Sequence, residues 1–528
     1  MPKKINAWNL LWISFTSMIG SGWLFGSLYS AHFAGPAAIL AWPLAAICLM
    51  FVALAYAEVA TMFPEKAILA RLPLYTHGRL TSVIMGGLAW ISLATIPVIE
   101  TQGLIQYANN YWPDLVVRHG FHYSSTFAGY LFALTLLLSF VLLNYFGIRL
   151  FARINSGFTI WKLLIPVITI ISLFATNYQS INFHQYGGFM PYGWHGVMAA
   201  MSSGGVLFSL LGFRQVVVMA SETEQPEKYI PVVMVTSLIL TGLLYTVLQW
   251  AFIGSMRAQD LLHGWANLSF PGDAGPFAAL ALISGLLWLS LLLYADAFIS
   301  PYSTGLVYST TAAYMLASIS SMGDAPKSFA LKNKYETPYI SLTINFLLAA
   351  AMFFLLHGWQ AMSSFLVACI MIGYAVGPIS LICLRKQLPL HRRPFRLYCS
   401  GLIAFAGFYI CSAGVYWAGL TSIVKLFVLV IIGLALYLFH YFISKKSRYE
   451  LDVKNALWLL CYLAGLSIFS YYGNYGGIKI IPAYWDLAYL FIFVLAIFNL
   501  AVYSRKSAIY TETIISSFRD AELIPLKI

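Results

Sequence analysis

Apolar runs of about 20 residues recur along the chain, separated by short segments that are charged or rich in glycine and proline. The runs at 131–144 and 426–442 contain no lysine, arginine, aspartate or glutamate. A helix needs about 20 apolar residues to cross the hydrocarbon core of a bilayer. The strands of a membrane β-barrel would instead alternate polar and apolar positions over about 10 residues. The pattern therefore predicts an all-α polytopic membrane protein.

Counting these runs predicts about 14 transmembrane helices. The first run follows residues 1–5 without the small-residue cleavage site of a signal peptide, so we interpret it as the first span. The predicted spans lie near 9–33, 36–63, 80–108, 126–145, 153–175, 196–219, 230–254, 276–312, 338–356, 361–384, 400–420, 424–443, 456–472 and 483–503.

The composition excludes other classes of protein. The 528 residues are 60% hydrophobic and only 9% charged, whereas a soluble domain is about one-quarter charged. A mean hydropathy of +0.79 over the whole length excludes a soluble domain with a single membrane anchor. The six cysteines have neither zinc nor redox spacing, so the sequence predicts no disulfide, metal site or cofactor.

The distribution of basic residues predicts the orientation. With the N-terminus in the cytoplasm, 24 of the 30 lysines and arginines fall in cytoplasmic segments and 4 in outer segments. Lys162 and Arg214 lie inside predicted spans. Because cytoplasmic loops are enriched in basic residues, we expect a multi-pass protein of the cell (inner) membrane with both termini cytoplasmic. The same bias accounts for the net charge of +12, so nucleic acid is not an expected partner.

Glycines interrupt two of the predicted spans. Three glycines fall within 19–26 of the first span, and three more fall within 202–214 of the sixth. Each glycine costs a helix about 1 kcal/mol relative to alanine. The glycines either allow close helix packing or mark unwound stretches whose free backbone groups face a cavity. Two broken spans five apart are expected of an inverted five-plus-five repeat.

Five ionisable residues lie deep in predicted spans. Because charged groups are costly in lipid, such residues mark functional sites by default. The alternative is that these acids and bases pair with one another and hold helices together. The five residues are Glu58, Glu100, Lys162, Arg214 and Asp296.

Several motifs together resemble the amino acid, polyamine and organocation (APC) transporter superfamily, over most of positions 8–400. The glycine motif at 20–27 is similar to the first-span motif of that family. The family commonly carries an acidic residue after the 212–213 pair. This chain has Arg214 there instead, and in this it resembles a branch similar to aspartate:proton symporters. Two spans follow the usual twelve. The other motifs lie at 57–64, 208–213, 221–226, 230–231, 296–301, 323–327, 337–338 and 393–396.

The resemblance implies a LeuT-like core with a 5+5 inverted repeat. Residues 1–384 would form the ten-helix transport core, 385–444 helices 11 and 12, and 445–528 two additional helices and a short cytoplasmic tail. The N–H groups of Ser21 and Gly22 would bind the substrate α-carboxylate, and carbonyls near 208–211 its ammonium group. The implied substrate-binding residues are Gly20, Ser21, Gly22, Phe208, Ser209, Leu211, Gly212 and Arg214, and the implied proton-coupling residues are Lys162, Asp296 and Glu100.

The implied function is secondary active import of amino acids by proton symport, with acidic amino acids favoured. Lys162 falls where proton-coupled relatives carry a lysine in the place of a sodium ion, and a desolvated lysine can release its proton. Arg214 would either clamp a side-chain carboxylate or pair with Asp296 or Glu100 as part of a gate.

Other functions are weighed against this one. An amino acid exchanger and a neutral amino acid:proton symporter are the alternatives within the same fold. An enzyme is not expected, because the histidines form no His/Asp pair or nucleophile arrangement at a membrane face. The expected partners are an amino acid substrate, protons and the lipid bilayer.

Overall fold

The computed structural model describes residues 4–65, 68–120, 122–146, 148–176, 178–443 and 451–523, with side chains described in these ranges except at 148–159 and 519–523. Within them the chain forms 20 α-helices and one β-hairpin. The first ten helices are α1 Ala7–Met18, α2 Ser21–Ala34, α3 Ala38–Met62, α4 Ile68–His77, α5 Arg79–Ala108, α6 Phe127–Tyr145, α7 Ile148–Thr176, α8 Gly193–Ser202, α9 Val206–Ser209 and α10 Arg214–Val218.

The second half of the chain is also helical. Its helices are α11 Pro226–Gly254, α12 Pro276–Ile283, α13 Leu287–Ser321, α14 Tyr339–Leu355, α15 Trp359–Gln387, α16 Ser400–Trp417, α17 Leu420–Ile443, α18 Val453–Tyr472, α19 Trp485–Tyr503 and α20 Ala508–Leu523. The hairpin consists of β1 Val116–His119 paired antiparallel with β2 His122–Ser125, between α5 and α6.

Length and hydropathy identify the membrane-crossing helices. In the described residues, nine helical segments are long and apolar enough to cross a membrane, and α8 with Val206–Val218 would make a tenth that bends by 44°. One of the nine, Ser21–Met62, joins α2 to α3. The shorter α14 is also apolar. The chain is therefore a multi-pass helical membrane protein, and its helices overlap all 14 predicted intervals.

Burial distinguishes central helices from peripheral ones. The most apolar windows of α5 and α15 are 83% and 89% buried inside the protein, whereas that of α17 is 22% buried. α5 packs against α13 and α15, while α3 packs against α11 and α16. Since both faces of α5 and α15 contact other helices, a polar group on either helix lies in the protein interior rather than in lipid.

The span predicted at 276–312 is divided in the structure. α12 ends at Ile283, Gly285 adopts a φ of +77°, and α13 begins at Leu287. A left-handed glycine ends a helix without the steric cost that a Cβ would impose. The 35 residues of α13 then continue beyond the predicted end of the span. The apolar pattern missed this break because it spans only residues 284–286, which contain no charged residue or proline between two apolar helices.

Two further helices lie outside the predicted spans. The α4 helix follows α3, and α20 lies in the segment predicted as a short tail. Thr511 Oγ1 of α20 donates to the Tyr75 carbonyl of α4 at 2.9 Å. The Lys506 N–H donates to the Thr76 carbonyl at 2.8 Å. The end of the described chain is therefore attached to α4.

The buried Glu58 has a structural role. Its carboxylate accepts two hydrogen bonds from the Arg385 guanidinium, at 2.9 and 2.6 Å, and a third from the Leu397 N–H at 2.8 Å. These contacts join the end of α3 to α15 and to the loop before α16. For Glu58, the interpretation that an intramembrane acid holds helices together fits the contacts.

Candidate functional site

The first predicted span is interrupted between α1 and α2. Ile19 and Gly20 leave the helical conformation, with ψ angles of 94° and −143°. Two carbonyls released at the break are satisfied by other helices. Tyr245 of α11 donates to the Met18 carbonyl at 2.8 Å, and Thr304 of α13 donates to the Ile19 carbonyl at 3.2 Å. The glycine motif therefore marks an unwound stretch.

The sixth predicted span is also interrupted. α8 ends at Ser202, Gly205 adopts a φ of +84°, and α9 extends only from Val206 to Ser209. A 3-10 turn, Leu211–Phe213, then leads into α10. The Leu211 carbonyl accepts a hydrogen bond from the Tyr374 hydroxyl at 3.1 Å. Both glycine-containing spans predicted to be broken are thus broken near their middle.

The two breaks face each other across a small cavity. The absence of a Cβ at Gly22 allows Ser209 of α9 to approach the start of α2, because a Cβ at Gly22 would overlap the Ser209 hydroxyl. Of the predicted binding residues, six line the cavity, and Ser21 lies between two of them. The lining residues are Ser17, Met18, Gly20, Gly22, Ile96, Glu100, Phe208, Ser209, Leu211, Gly212, Thr304 and Tyr308.

Glu100 of α5 forms one wall of the cavity and contacts the start of α2. Its Oε2 accepts a hydrogen bond from the Ser21 N–H at 2.6 Å, and the residue is 1% exposed. A Cβ at Gly20 would lie 2.6 Å from Oε1 of the same carboxylate. The first N–H groups of a helix attract anions. The glycine and the helix terminus together therefore accommodate a carboxylate here.

Lys162 of α7 lies behind the break rather than in the cavity. Its Nζ donates to Thr304 Oγ1 at 2.8 Å and to the Thr16 carbonyl at 3.4 Å. The side chain is buried. Because Thr304 also donates to the Ile19 carbonyl, the lysine contacts the last turn of α1 directly at Thr16 and is connected to the unwound stretch through the threonine.

Asp296 of α13 is also buried but does not line the cavity. Its Oδ2 accepts from the Trp23 indole N–H at 3.2 Å, and its Oδ1 accepts from the Ser300 hydroxyl at 2.6 Å. The carboxylate thus holds the side chain of Trp23 on α2. Asp296, Ser300 and Thr304 recur every fourth residue, so they lie along one side of α13.

Arg214 begins α10, just beyond the turn that lines the cavity. Its Nη1 donates to the Ser92 hydroxyl at 3.0 Å, and its guanidinium lies 5.8 Å from the centre of the Tyr374 ring. Arg214 is 2% exposed and its Nε has no hydrogen-bond partner. Among the described residues, no carboxylate lies within ion-pairing distance of this cation.

An aromatic layer adjoins the cavity along α2, and its Phe208 also lines the cavity. The Trp359 indole N–H donates to the Ser21 hydroxyl at 2.8 Å. Its ring stacks on Tyr29 with centroids 5.4 Å apart, and it contacts Phe25 and Phe208 at 5.3 and 5.6 Å. The layer consists of Phe25, Tyr29, Phe208 and Trp359.

Sequence reasoning missed several of these residues. Thr304 could have been found, because it follows Asp296 and Ser300 at the four-residue spacing of one helix face in an apolar span. Trp359 gives no such signal, since its contact with Ser21 joins residues 338 positions apart. Ser92 and Tyr374 likewise become partners of Arg214 only through the packing of α5, α10 and α15.

Comparison with known proteins gives matches along nearly the whole chain. A family model described as amino acid permease matches residues 5–436. The glutamate/serine transporter AimA of Bacillus subtilis (strain 168) is 33% identical over 521 residues, which cover 97% of this chain and 95% of that protein. The aspartate-proton symporter of the same organism is 31% identical over 506 residues, which cover 95% and 96%.

A third relative is more distant. The branched-chain amino acid permease BcaP of Bacillus subtilis (strain 168) is 24% identical over 452 residues, which cover 83% of this chain and 92% of that protein. All three relatives are named for amino acid transport, and none is named as an enzyme.

Proposed function

Since the chain belongs to the amino acid permease family of the APC superfamily, we propose that it imports amino acids by proton symport and favours acidic ones. The observation that carries the acidic preference is the buried Arg214, whose guanidinium contacts Ser92 and Tyr374 but no carboxylate of the described residues. A buried charge without a partner is unfavourable. A substrate with a side-chain carboxylate would supply that partner.

The proposed architecture is a LeuT-like core with an inverted five-plus-five repeat at 1–384, followed by four further spans and a cytoplasmic tail. It would comprise 14 spans with both termini in the cytoplasm. Breaks in the first and sixth predicted spans, which face each other across one cavity, support this arrangement. The excess of basic residues in the segments assigned to the cytoplasm supports the orientation.

The proposed substrate site is the cavity between these breaks. The N–H groups of Ser21 and Gly22 at the start of α2 would bind the α-carboxylate, because the first N–H groups of a helix have no partner within the helix. Carbonyls of 208–211 would accept from the ammonium group. The adjacency of Gly22 and Ser209 supports this pairing of roles. Arg214 would reach the substrate side chain from beyond Gly212.

The proposed proton-coupling residues are Lys162, Asp296 and Glu100. Lys162 donates to Thr304 and to the Thr16 carbonyl, and only a protonated amine can donate strongly to both. Loss of its proton would therefore weaken the contacts among α1, α7 and α13. Opening and closing of the cavity would therefore depend on whether Lys162 is protonated.

The relatives support the proposed substrate class. One is named a glutamate/serine transporter and another an aspartate-proton symporter. Because the first of these names includes serine, which is a neutral amino acid, a neutral amino acid symporter remains an alternative. An exchanger is also an alternative, since it would use the same cavity. Substrate selectivity and coupling must therefore be measured separately.

Uptake into proteoliposomes tests the proposal. Labelled aspartate, glutamate, serine and leucine are supplied with and without an inward proton gradient, and again with a sodium gradient. We expect the proton gradient to raise accumulation, most strongly for aspartate and glutamate, and the sodium gradient to have no effect. Uptake that requires an amino acid inside the vesicles would identify an exchanger, and preferred uptake of leucine or serine would identify a neutral symporter.

A further inference from the structure

The donor that would bind the substrate carboxylate is already occupied by a carboxylate of the protein. The Ser21 N–H donates to Glu100 Oε2 at 2.6 Å. We propose that Glu100 is a built-in competitor, which holds the start of α2 when the transporter is empty and withdraws when the substrate carboxylate binds. This inference rests on the carboxylate site of the proposed function.

The geometry around Glu100 fits a displaceable group. Its carboxylate lies against Gly20, where a Cβ would come within 2.6 Å of Oε1. It also lines the cavity itself, so open space adjoins the carboxylate. A residue with only a capping role would not need to border the cavity. Glu100 thus borders the same space that an amino acid would fill.

A single helix terminus cannot hold two carboxylates at full strength. Both would compete for the same N–H groups, and two like charges in a buried site repel each other. The substrate carboxylate can therefore form its hydrogen bond with Ser21 only after Glu100 has released it. The bond from Ser21 N–H to Glu100 Oε2 breaks, and a bond from the same N–H to a substrate oxygen forms.

Withdrawal leaves the Glu100 carboxylate without its donor in a buried position. The titratable groups within electrostatic reach of it are Lys162 of α7, Tyr245 of α11 and Tyr308 of α13. Lys162 already donates to Thr304 and the Thr16 carbonyl. The displaced carboxylate therefore takes one proton from the solution on the side of substrate entry and becomes neutral. Substrate binding and proton uptake then occur together.

If Glu100 competes with the substrate, removal of its charge should strengthen substrate binding. Glu100→Gln keeps the shape but removes the charge, so serine should bind at pH 7.5 at least tenfold more tightly than to the wild type. Binding to this variant should not change between pH 5.5 and 7.5. In the wild type, the affinity should rise about tenfold as the pH falls by one unit. Serine is used as the probe because it has no side-chain carboxylate to involve Arg214.

A second variant preserves the charge. Glu100→Asp shortens the side chain by one methylene, which weakens its hold on Ser21. We expect tighter serine binding than in the wild type, with the pH dependence retained. Asp260→Asn is the control, because Asp260 pairs with Arg257 in a loop outside the cavity. This variant should match the wild type. Each full-length variant is first checked for monodispersity and thermal stability in detergent.

The outcomes separate the inference from the function on which it rests. If both Glu100 variants are folded and bind serine more weakly than the wild type at every pH, Glu100 is a structural cap and the inference is wrong. If the wild type shows proton-driven uptake in that case, the proposed function still holds. Absence of proton-driven uptake in the wild type would overturn the proposed function instead.

Discussion

Lys162 and Thr304 are joined by a hydrogen bond of 2.8 Å in which the lysine Nζ donates to the threonine hydroxyl. That hydroxyl in turn donates to the Ile19 carbonyl at the break between α1 and α2. A lysine on α7 is thereby connected to the unwound stretch through a residue of α13. Any change in its protonation acts at the point where the proposed site is formed.

Replacement of the lysine should separate coupling from binding. Lys162→Ala should abolish accumulation driven by a pH gradient while reducing substrate binding much less, because Lys162 lies outside the cavity. Accumulation and binding are measured on the same preparation in proteoliposomes and detergent. Lys425→Ala on the peripheral α17 is the control. Unchanged accumulation in Lys162→Ala, or a strict sodium requirement in the wild type, would remove the lysine from the mechanism.

The threonine provides a test that leaves the lysine in place. Thr304→Val is nearly isosteric but removes both hydrogen bonds of the hydroxyl, so Lys162 loses the nearer of its two acceptors and the Ile19 carbonyl loses its donor. An unsatisfied buried group costs about 1–3 kcal/mol. We expect a loss of gradient-driven uptake, whereas Thr343→Val, whose hydroxyl bonds only within its own exposed helix face, should have no effect. Equal uptake by both variants would contradict the connection.

The Glu58 contacts predict a large effect on stability. Arg385→Ala leaves a buried carboxylate without its bidentate partner, which should cost about 3–5 kcal/mol. Thermal unfolding of the purified protein should show a clear decrease in the midpoint. Lys332→Ala breaks an exposed pair with Glu336 and should change stability by less than about 1 kcal/mol. Similar midpoints for the two variants would show that the buried pair is not structurally important.

The sequence predicts the positions of the two breaks well because their causes are local. Glycines weaken a helix wherever they lie, so Gly20, Gly22 and Gly212 could be assigned to interrupted spans from spacing alone. The polar face of α13 is similarly local, since Asp296 and Thr304 share one side of a helix. Breaks in helices and the residues that share a helix face can thus be predicted from a single sequence.

The directions of side chains depend instead on tertiary packing. The contact of Glu100 with Ser21 joins residues 79 positions apart, and nothing in either segment specifies it. Arg214 was a candidate partner for Asp296 or Glu100, yet it points to Ser92 and Tyr374. These contacts depend on how α5 packs against α2 and on how α15 packs in the protein interior. Local patterns do not encode them.

The predicted orientation can be tested by labelling. In a background without native cysteines, Ser516→Cys on α20 and Asn267→Cys in the loop before α12 place thiols at exposed positions. A membrane-impermeant maleimide applied to intact cells should label Asn267→Cys only, because the basic residues predict a cytoplasmic C-terminus. Permeabilised cells provide the control for reactivity. Labelling of Ser516→Cys in intact cells would mean that the number of spans is odd.

The final prediction concerns the substrate class. If the Arg214 guanidinium binds a side-chain carboxylate, Arg214→Gln should cost aspartate and glutamate about 2–5 kcal/mol of binding free energy, the range for losing one partner of a buried charge pair. Serine and leucine should lose far less, because they offer no side-chain charge to the buried cation. Both could gain, since the cation is costly when unpaired.

Binding of all four amino acids to the wild type and to Arg214→Gln decides between the two roles of the arginine. Arg257→Gln is the matched control, because Arg257 pairs with Asp260 in a loop and is partly exposed. A gate residue would affect every substrate by a similar factor, since gating does not depend on the side chain carried. An equal loss across aspartate, glutamate, serine and leucine would therefore contradict the acidic preference while leaving the assignment to the amino acid permease family intact.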